Sequence, residues 1–117
     1  MPLITIKTSA PAPVAETTTV LLKELSSLLA ELLSKPERYV MTALEAEVPM
    51  TFAGDTAPAC SITIKSIGSL DGDRTRAISA ALCGLMERHL QIPPDRTYIG
   101  FDDVPGRLWG WNGGTFG

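Results

Sequence analysis

Ile4-Thr5-Ile6-Lys7 recurs as Ile62-Thr63-Ile64-Lys65, 58 positions further along the chain. Pro36-Glu37-Arg38 returns as Pro94-Asp95-Arg96 at the same spacing, and Leu32 pairs with Leu90. An offset of half the 117-residue chain marks two copies of one supersecondary unit. The copies cover residues 2–58 and 60–117 of a single domain, 1–117.

Each copy reads strand, helix, strand. Residues 3–8 alternate, with Ile4 and Ile6 on one face, as in a half-buried strand. Pro11 and Pro13 break it. Over residues 16–33, Leu21, Leu25, Leu28 and Leu32 keep helical spacing, flanked by Leu22, Leu29 and Leu33. Thr17, Thr18 and Thr19 offer capping hydroxyls at its start, and Pro36 stops it after Lys35. Residues 39–44 form the second strand. In the second copy, residues 61–67 are a strand and residues 68–73 a turn with Asp73 as helix cap. Ile78, Leu82, Leu85 and His89 then trace one side of a helix, which Pro93 and Pro94 end before a strand over 97–101. The Gly- and Trp-rich tail, 108–117, suits a short strand or hairpin.

Crossovers of this kind are right-handed, so the strands within each copy are parallel. Joining the copies across a pseudo-twofold gives an α/β fold: a tandem βαβ repeat with a four-stranded mixed sheet and both helices on one face. The other face is left bare. Ile, Val, Tyr and Phe populate the strands, so that face is expected to be an apolar patch covered by oligomerisation. The topology also places residues. Pro2, Lys35 and Ile67 fall at one edge of the sheet. Tyr98 falls at the other, and reaches Pro2 only from a neighbouring subunit.

Composition excludes several functions. The net charge of −3 argues against nucleic acid or an anionic membrane as partner. No segment approaches the ~20 apolar residues of a bilayer span. The first residues lack the layout of a secretory signal, so a cytoplasmic location is expected, with signal-less secretion also compatible. Cys60 and Cys83 fit neither a zinc site nor a redox pair, and Cys83 reads as a small buried hydrophobe. The lone His89 suits a helix C-terminus and leaves metal sites and Ser-His-Asp triads short of parts. The terminal glycines precede no helix, so they make no phosphate loop. No metal or cofactor is expected.

The chain resembles the macrophage migration inhibitory factor and dopachrome tautomerase family of the tautomerase superfamily along nearly its whole length. Met1-Pro2, Lys35-Pro36-Glu37-Arg38-Tyr39, Ser66-Ile67-Gly68, Pro94-Asp95-Arg96-Thr97-Tyr98-Ile99, Gly110-Trp111-Asn112 and Thr115-Phe116 carry the resemblance. It implies a trimer of two-βαβ subunits and a keto–enol tautomerase of the phenylpyruvate type, acting on a small aromatic α-keto acid. It also implies that Pro2, freed of Met1, is the base. Lys35, Ile67 and Tyr98, the last from the adjacent subunit, would contact substrate, with Tyr39, Trp111 and Phe116 around the pocket and Trp109 at its rim. Gly100 replaces a family asparagine, and Ala12 stands where the family's receptor-associated arginine falls. Cys60 stands alone where the vertebrate cytokine has a Cys-x-x-Cys. A cytokine-like protein-binding signal molecule with a vestigial pocket is the alternative.

The residues suit the chemistry. Abstracting a proton beside a carbonyl requires a base that is neutral near pH 7. Burial in an apolar pocket and a nearby Lys35 ammonium both disfavour a protonated amine, and proline's ring pre-aims the nitrogen. Lys35 is expected to bind a substrate carboxylate and to stabilise the developing enolate.

Overall fold

The computed structural model describes residues 1–117 and contains both units. The first is β1 (Leu3–Thr8), α1 (Ala15–Leu33) and β2 (Met41–Glu45). The second is β3 (Cys60–Ser66), α2 (Gly72–Leu90) and β4 (Thr97–Asp103). A hairpin of β5 (Gly110–Trp111) and β6 (Gly114–Thr115) follows, and single turns of 3-10 helix precede β2 (Glu37–Tyr39), β4 (Pro94–Arg96) and β5 (Gly106–Leu108).

The sheet runs β2-β1-β3-β4. β1 is parallel to β2 and β3 to β4, while β1 and β3 are antiparallel. The repeated tetrapeptide pairs with its own copy: Ile4 faces Ile64, Thr5 faces Thr63 and Ile6 faces Ile62. The pseudo-twofold therefore passes through the Thr5–Thr63 pair. Ile4, Ile6, Ile62 and Ile64 are fully buried against Leu21, Leu25, Leu29 and Leu33 of α1 and Ile78, Leu82, Met86 and Leu90 of α2. Each such side chain contributes about 1.5–3 kcal/mol by burial.

Local details differ from expectation. In α1 the buried ridge is Leu21, Leu25, Leu29, Leu33. Leu28 and Leu32 only flank the core. The helix begins after Val14 with no side-chain cap. Thr18 Oγ1 instead donates to the Pro13 carbonyl at 3.5 Å from within the first turns. Pro11 and Pro13 hold the chain extended only up to Val14, so the threonines are already helical. The cap of α2 is Asp71, whose carboxylate accepts from the Arg74 N–H at 2.9 Å, and Asp73 lies in the first turn. Tyr39 belongs to a 3-10 turn, not to β2, because its N–H and that of Val40 bond back to the Pro36 and Glu37 carbonyls. Cys83 is only half-buried, and Cys60 is the buried thiol. His89 lies in the last turn of α2, its Nε2 3.3 Å from Glu24 on α1.

The bare sheet face is the larger correction. The isoleucines of β1 and β3 all point at the helices, and the outward positions are Thr5, Lys7, Ser61, Thr63 and Lys65, with Leu3 the one apolar member at the strand end. In β4 the outward register carries Tyr98, Gly100 and Asp102. Strict alternation puts the apolar residues on one side and the small and polar ones on the other, so this face is not an apolar patch. Of the large exposed hydrophobics, Val14 and Val20 belong to the start of α1, and Met41, Tyr98, Leu108 and Trp111 lie on β2, β4 and the tail. No helix is long and apolar enough to cross a membrane.

Candidate active site

Pro2 is buried at the start of β1, its carbonyl accepting the Met41 N–H at 3.1 Å. It lies in the wall of a cavity of about 330 Å³, together with Met1, Arg38, Tyr39, Trp109, Trp111 and Phe116. Three of the aromatics form one cluster. Tyr39 meets Trp111 edge-on at 5.3 Å and Phe116 edge-on at 6.2 Å, while Trp111 and Phe116 stack at 5.8 Å.

The tail shapes this wall through its turns. Asn112 and Gly113 both have positive φ, as a tight two-residue hairpin demands. The Phe116 N–H donates to the Gly106 and Trp109 carbonyls, each at 3.2 Å. Gly106 allows this approach, since a Cβ there would lie 2.8 Å from the Phe116 carbonyl oxygen.

Lys35 follows the left-handed residue Ser34 that ends α1. Its Nζ donates to the Ile67 carbonyl at 2.9 Å. Ile67 follows β3, and the antiparallel pairing of Leu3 with Lys65 brings it back beside the start of β1. The ammonium thus stands near the chain's amino group. Burial first, and the Lys35 charge second, hold the Met1 amine below its ordinary pKa.

Tyr98 stands apart, 69% exposed, its ring packed on Phe52 at 4.9 Å. It pairs with Ser61, which in turn faces Lys7, five residues along β1 from Pro2. That is roughly 17 Å at ~3.3 Å per residue. One subunit therefore brings together Pro2, Lys35 and Ile67 at the sheet edge and Tyr39, Trp109, Trp111 and Phe116 around the cavity, and leaves Tyr98 at the far edge.

Arg38 was missed as a site residue. It lines the cavity, its guanidinium 4.7 Å from the Tyr39 ring centre. The signal was in the repeat: Arg38 and Arg96 are equivalent by offset, so any difference in their roles has to come from their surroundings. No carboxylate side chain lines the cavity. Neither cysteine does, and burial pushes both thiols upward in pKa. No three His, Cys, Asp or Glu side chains cluster closely enough to hold a metal ion.

Two βαβ units in pseudo-twofold register, with a lysine and an aromatic cavity at the first strand's start, define a subunit of the tautomerase-superfamily type. Comparison with known proteins narrows this. The model of the macrophage migration inhibitory factor (MIF) family matches residues 1–117, and the chain belongs to that family. It is 38% identical over 117 residues to the macrophage migration inhibitory factor homolog of Trichuris trichiura, covering 99% of this chain and 100% of that protein. It is 36% identical to the macrophage migration inhibitory factor of Mus musculus over 116 residues, 99% of each chain. Among solved structures, the macrophage migration inhibitory factor homologue from Prochlorococcus marinus shares 62% identity with a TM-score of 0.93, covering 98% of this chain and 99% of that one.

Proposed function

We propose that the protein is a keto–enol tautomerase acting on small aromatic α-keto acids such as phenylpyruvate, with Pro2 as its base. The observation that carries this reading is the cavity at Pro2, where burial and Lys35 already depress the adjacent terminal amine. In the 117-residue chain Met1 acylates Pro2, whose nitrogen is then an amide without basicity. Removing Met1 creates a secondary amine one residue deeper, where Pro2 is buried and the ammonium form is further disfavoured.

The neutral Pro2 nitrogen takes a proton from the carbon beside the ketone, and the C–H electron pair moves into the enolate. The Lys35 ammonium stabilises the oxygen on which that charge develops. The proton held on Pro2 then passes to the enolate oxygen, directly or by exchange with water, which gives the enol and restores the neutral amine, and the reverse sequence returns the keto acid. The aromatic cluster receives the substrate ring and excludes water. Tyr98 enters this site only from a neighbouring copy, so the working unit is a homotrimer. The unpaired edges of β2 and β4 support that assembly, as do exposed Met41 and Tyr98.

The test is an assay of keto–enol interconversion on protein shown by mass spectrometry to lack Met1. Activity is expected in the wild type and its loss in Pro2→Gly. Full turnover in Pro2→Gly removes the base assignment, and activity with no dependence on the pocket favours the cytokine-like binding role. Light scattering at micromolar concentration should report about three times the 12.5 kDa chain mass. A monomer would overturn the shared site.

A further inference from the structure

The repeat supplies an internal control for one cavity residue. Arg38 and Arg96 occupy equivalent positions in equivalent 3-10 turns, 58 residues apart. Arg96 is saturated. Its guanidinium donates to the Ala57 carbonyl at 2.8 Å and the Pro58 carbonyl at 3.0 Å, with longer bonds to Asp55 and Phe52. Arg38 makes no hydrogen bond and no ion pair. Its one directional contact is the Tyr39 ring beneath it, which fixes the guanidinium over a wall of the Pro2 cavity. Lys35 donates one of its three N–H groups to the Ile67 carbonyl and has no planar fork.

We infer that Arg38 is the specificity-determining residue for the carboxylate of the substrate, which it binds through the fork of its free N–H groups. The inference rests on the tautomerase reading of the Pro2 cavity and deepens it. A guanidinium matches a carboxylate with two parallel N–H···O bonds, a geometry that a lysine ammonium lacks. Arg38 is also the one charged side chain in a cavity otherwise walled by aromatic and aliphatic groups, so an aromatic ring and a carboxylate are the two features the site selects. The two cations thereby complement each other: Arg38 supplies the fork that grips the carboxylate, and Lys35, with two N–H groups left after its bond to Ile67, serves the near carboxylate oxygen, the ketone oxygen and the base.

This role of Arg38 is testable with a keto acid and its methyl ester, which differ only in the group Arg38 binds. In Met1-free protein, Arg38→Ala should raise KM for phenylpyruvate by about tenfold to a hundredfold, the range for losing hydrogen bonds to a charged group. The KM for the ester should change less than twofold, and the rising limb of kcat/KM against pH should stay in place. Arg38→Lys keeps the charge without the fork and should restore only part of the preference for the acid. Pro2→Gly, run in parallel, keeps the two ideas separable. If Pro2→Gly abolishes turnover but Arg38→Ala leaves the acid-to-ester ratio unchanged, the role of Arg38 is overturned while the tautomerase reading stands. If Pro2→Gly retains full turnover, the base assignment fails, and absence of keto–enol turnover in the Met1-free wild type overturns the tautomerase reading itself. Equal losses for acid and ester in both Arg38 variants would show that the residue only supports the cavity wall, and would also overturn the inference.

Discussion

The two halves of this molecule share a backbone plan and differ in what they place at matching positions. At the start of β1 stands Pro2, and 58 residues later, at the start of β3, stands Cys60. Lys35 is answered by Pro93, and Arg38 by Arg96. In the second half the equivalent residues are structural. Cys60 is buried with its Sγ 3.6 Å from Thr97 Oγ1, and Arg96 ties the 52–58 loop together through four carbonyls. In the first half the tail packs on the turn through Tyr39, with Trp111 and Phe116, and a cavity lies between them. The backbone position is common to both halves. The neighbouring segment decides whether a cation ties down a loop or faces a cavity.

The sharpest break in the comparison should come at Pro2 and Cys60. Pro2→Gly is expected to lower kcat/KM by about a hundredfold to ten-thousandfold, the usual contribution of a general base, measured on Met1-free protein. Lys35→Ala should follow with roughly a hundredfold loss in kcat, as for one stabilising donor removed from a developing oxyanion. It should also displace the pH profile in a defined direction. The Lys35 charge depresses the amine, so its removal raises the amine pKa. The base acts only when neutral, so the rising limb of kcat/KM moves to higher pH. A limb that does not move would detach Lys35 from the base.

The arginine pair tests the fold itself. Arg96→Ala should cost about 2 kcal/mol of stability in urea unfolding, because several loop carbonyls lose a charged donor. Arg38→Ala should cost less than about 0.5 kcal/mol, as for an exposed side chain without partners. Equal costs would erase the distinction drawn between them. The smallest effect on turnover is expected at Cys60→Ser: activity retained, with about 1 kcal/mol of stability lost, because the hydroxyl keeps the Thr97 contact but is harder to bury than sulfur. A loss of turnover in folded Cys60→Ser would move the chemistry to the other half.

The topology was legible because the tetrapeptide repeat and leucine spacing both follow from burial, which leaves a periodic trace. The pairing of Ile4 with Ile64 and Ile6 with Ile62 is that trace in three dimensions. Helix starts were less legible. Asp71 and Asp73 are chemically equal candidates for a cap, and only the trajectory of the preceding turn selects Asp71. The polar bare face was misjudged because residue types were counted over whole strands, whereas alternation sorts them by side. Of the candidate site, Pro2, Lys35, Tyr39, Trp111 and Phe116 were recognisable as motifs. Arg38 was not, since its surroundings differ from those of its twin in which segment packs on the turn, and that segment lies far away in sequence.

The tail hairpin has an optical consequence. Trp109 and Trp111 are the chain's only two tryptophans, and both line the cavity. All of the protein's indole emission therefore originates at the proposed active site, and an occupant should shift or quench it without any added label. The same placement makes tryptophan fluorescence a local probe during unfolding. It reports detachment of residues 109–116, whereas far-ultraviolet dichroism reports α1 and α2. Noncoincident curves from the two signals would reveal a state in which the cavity wall has come away while the isoleucine–leucine core remains packed.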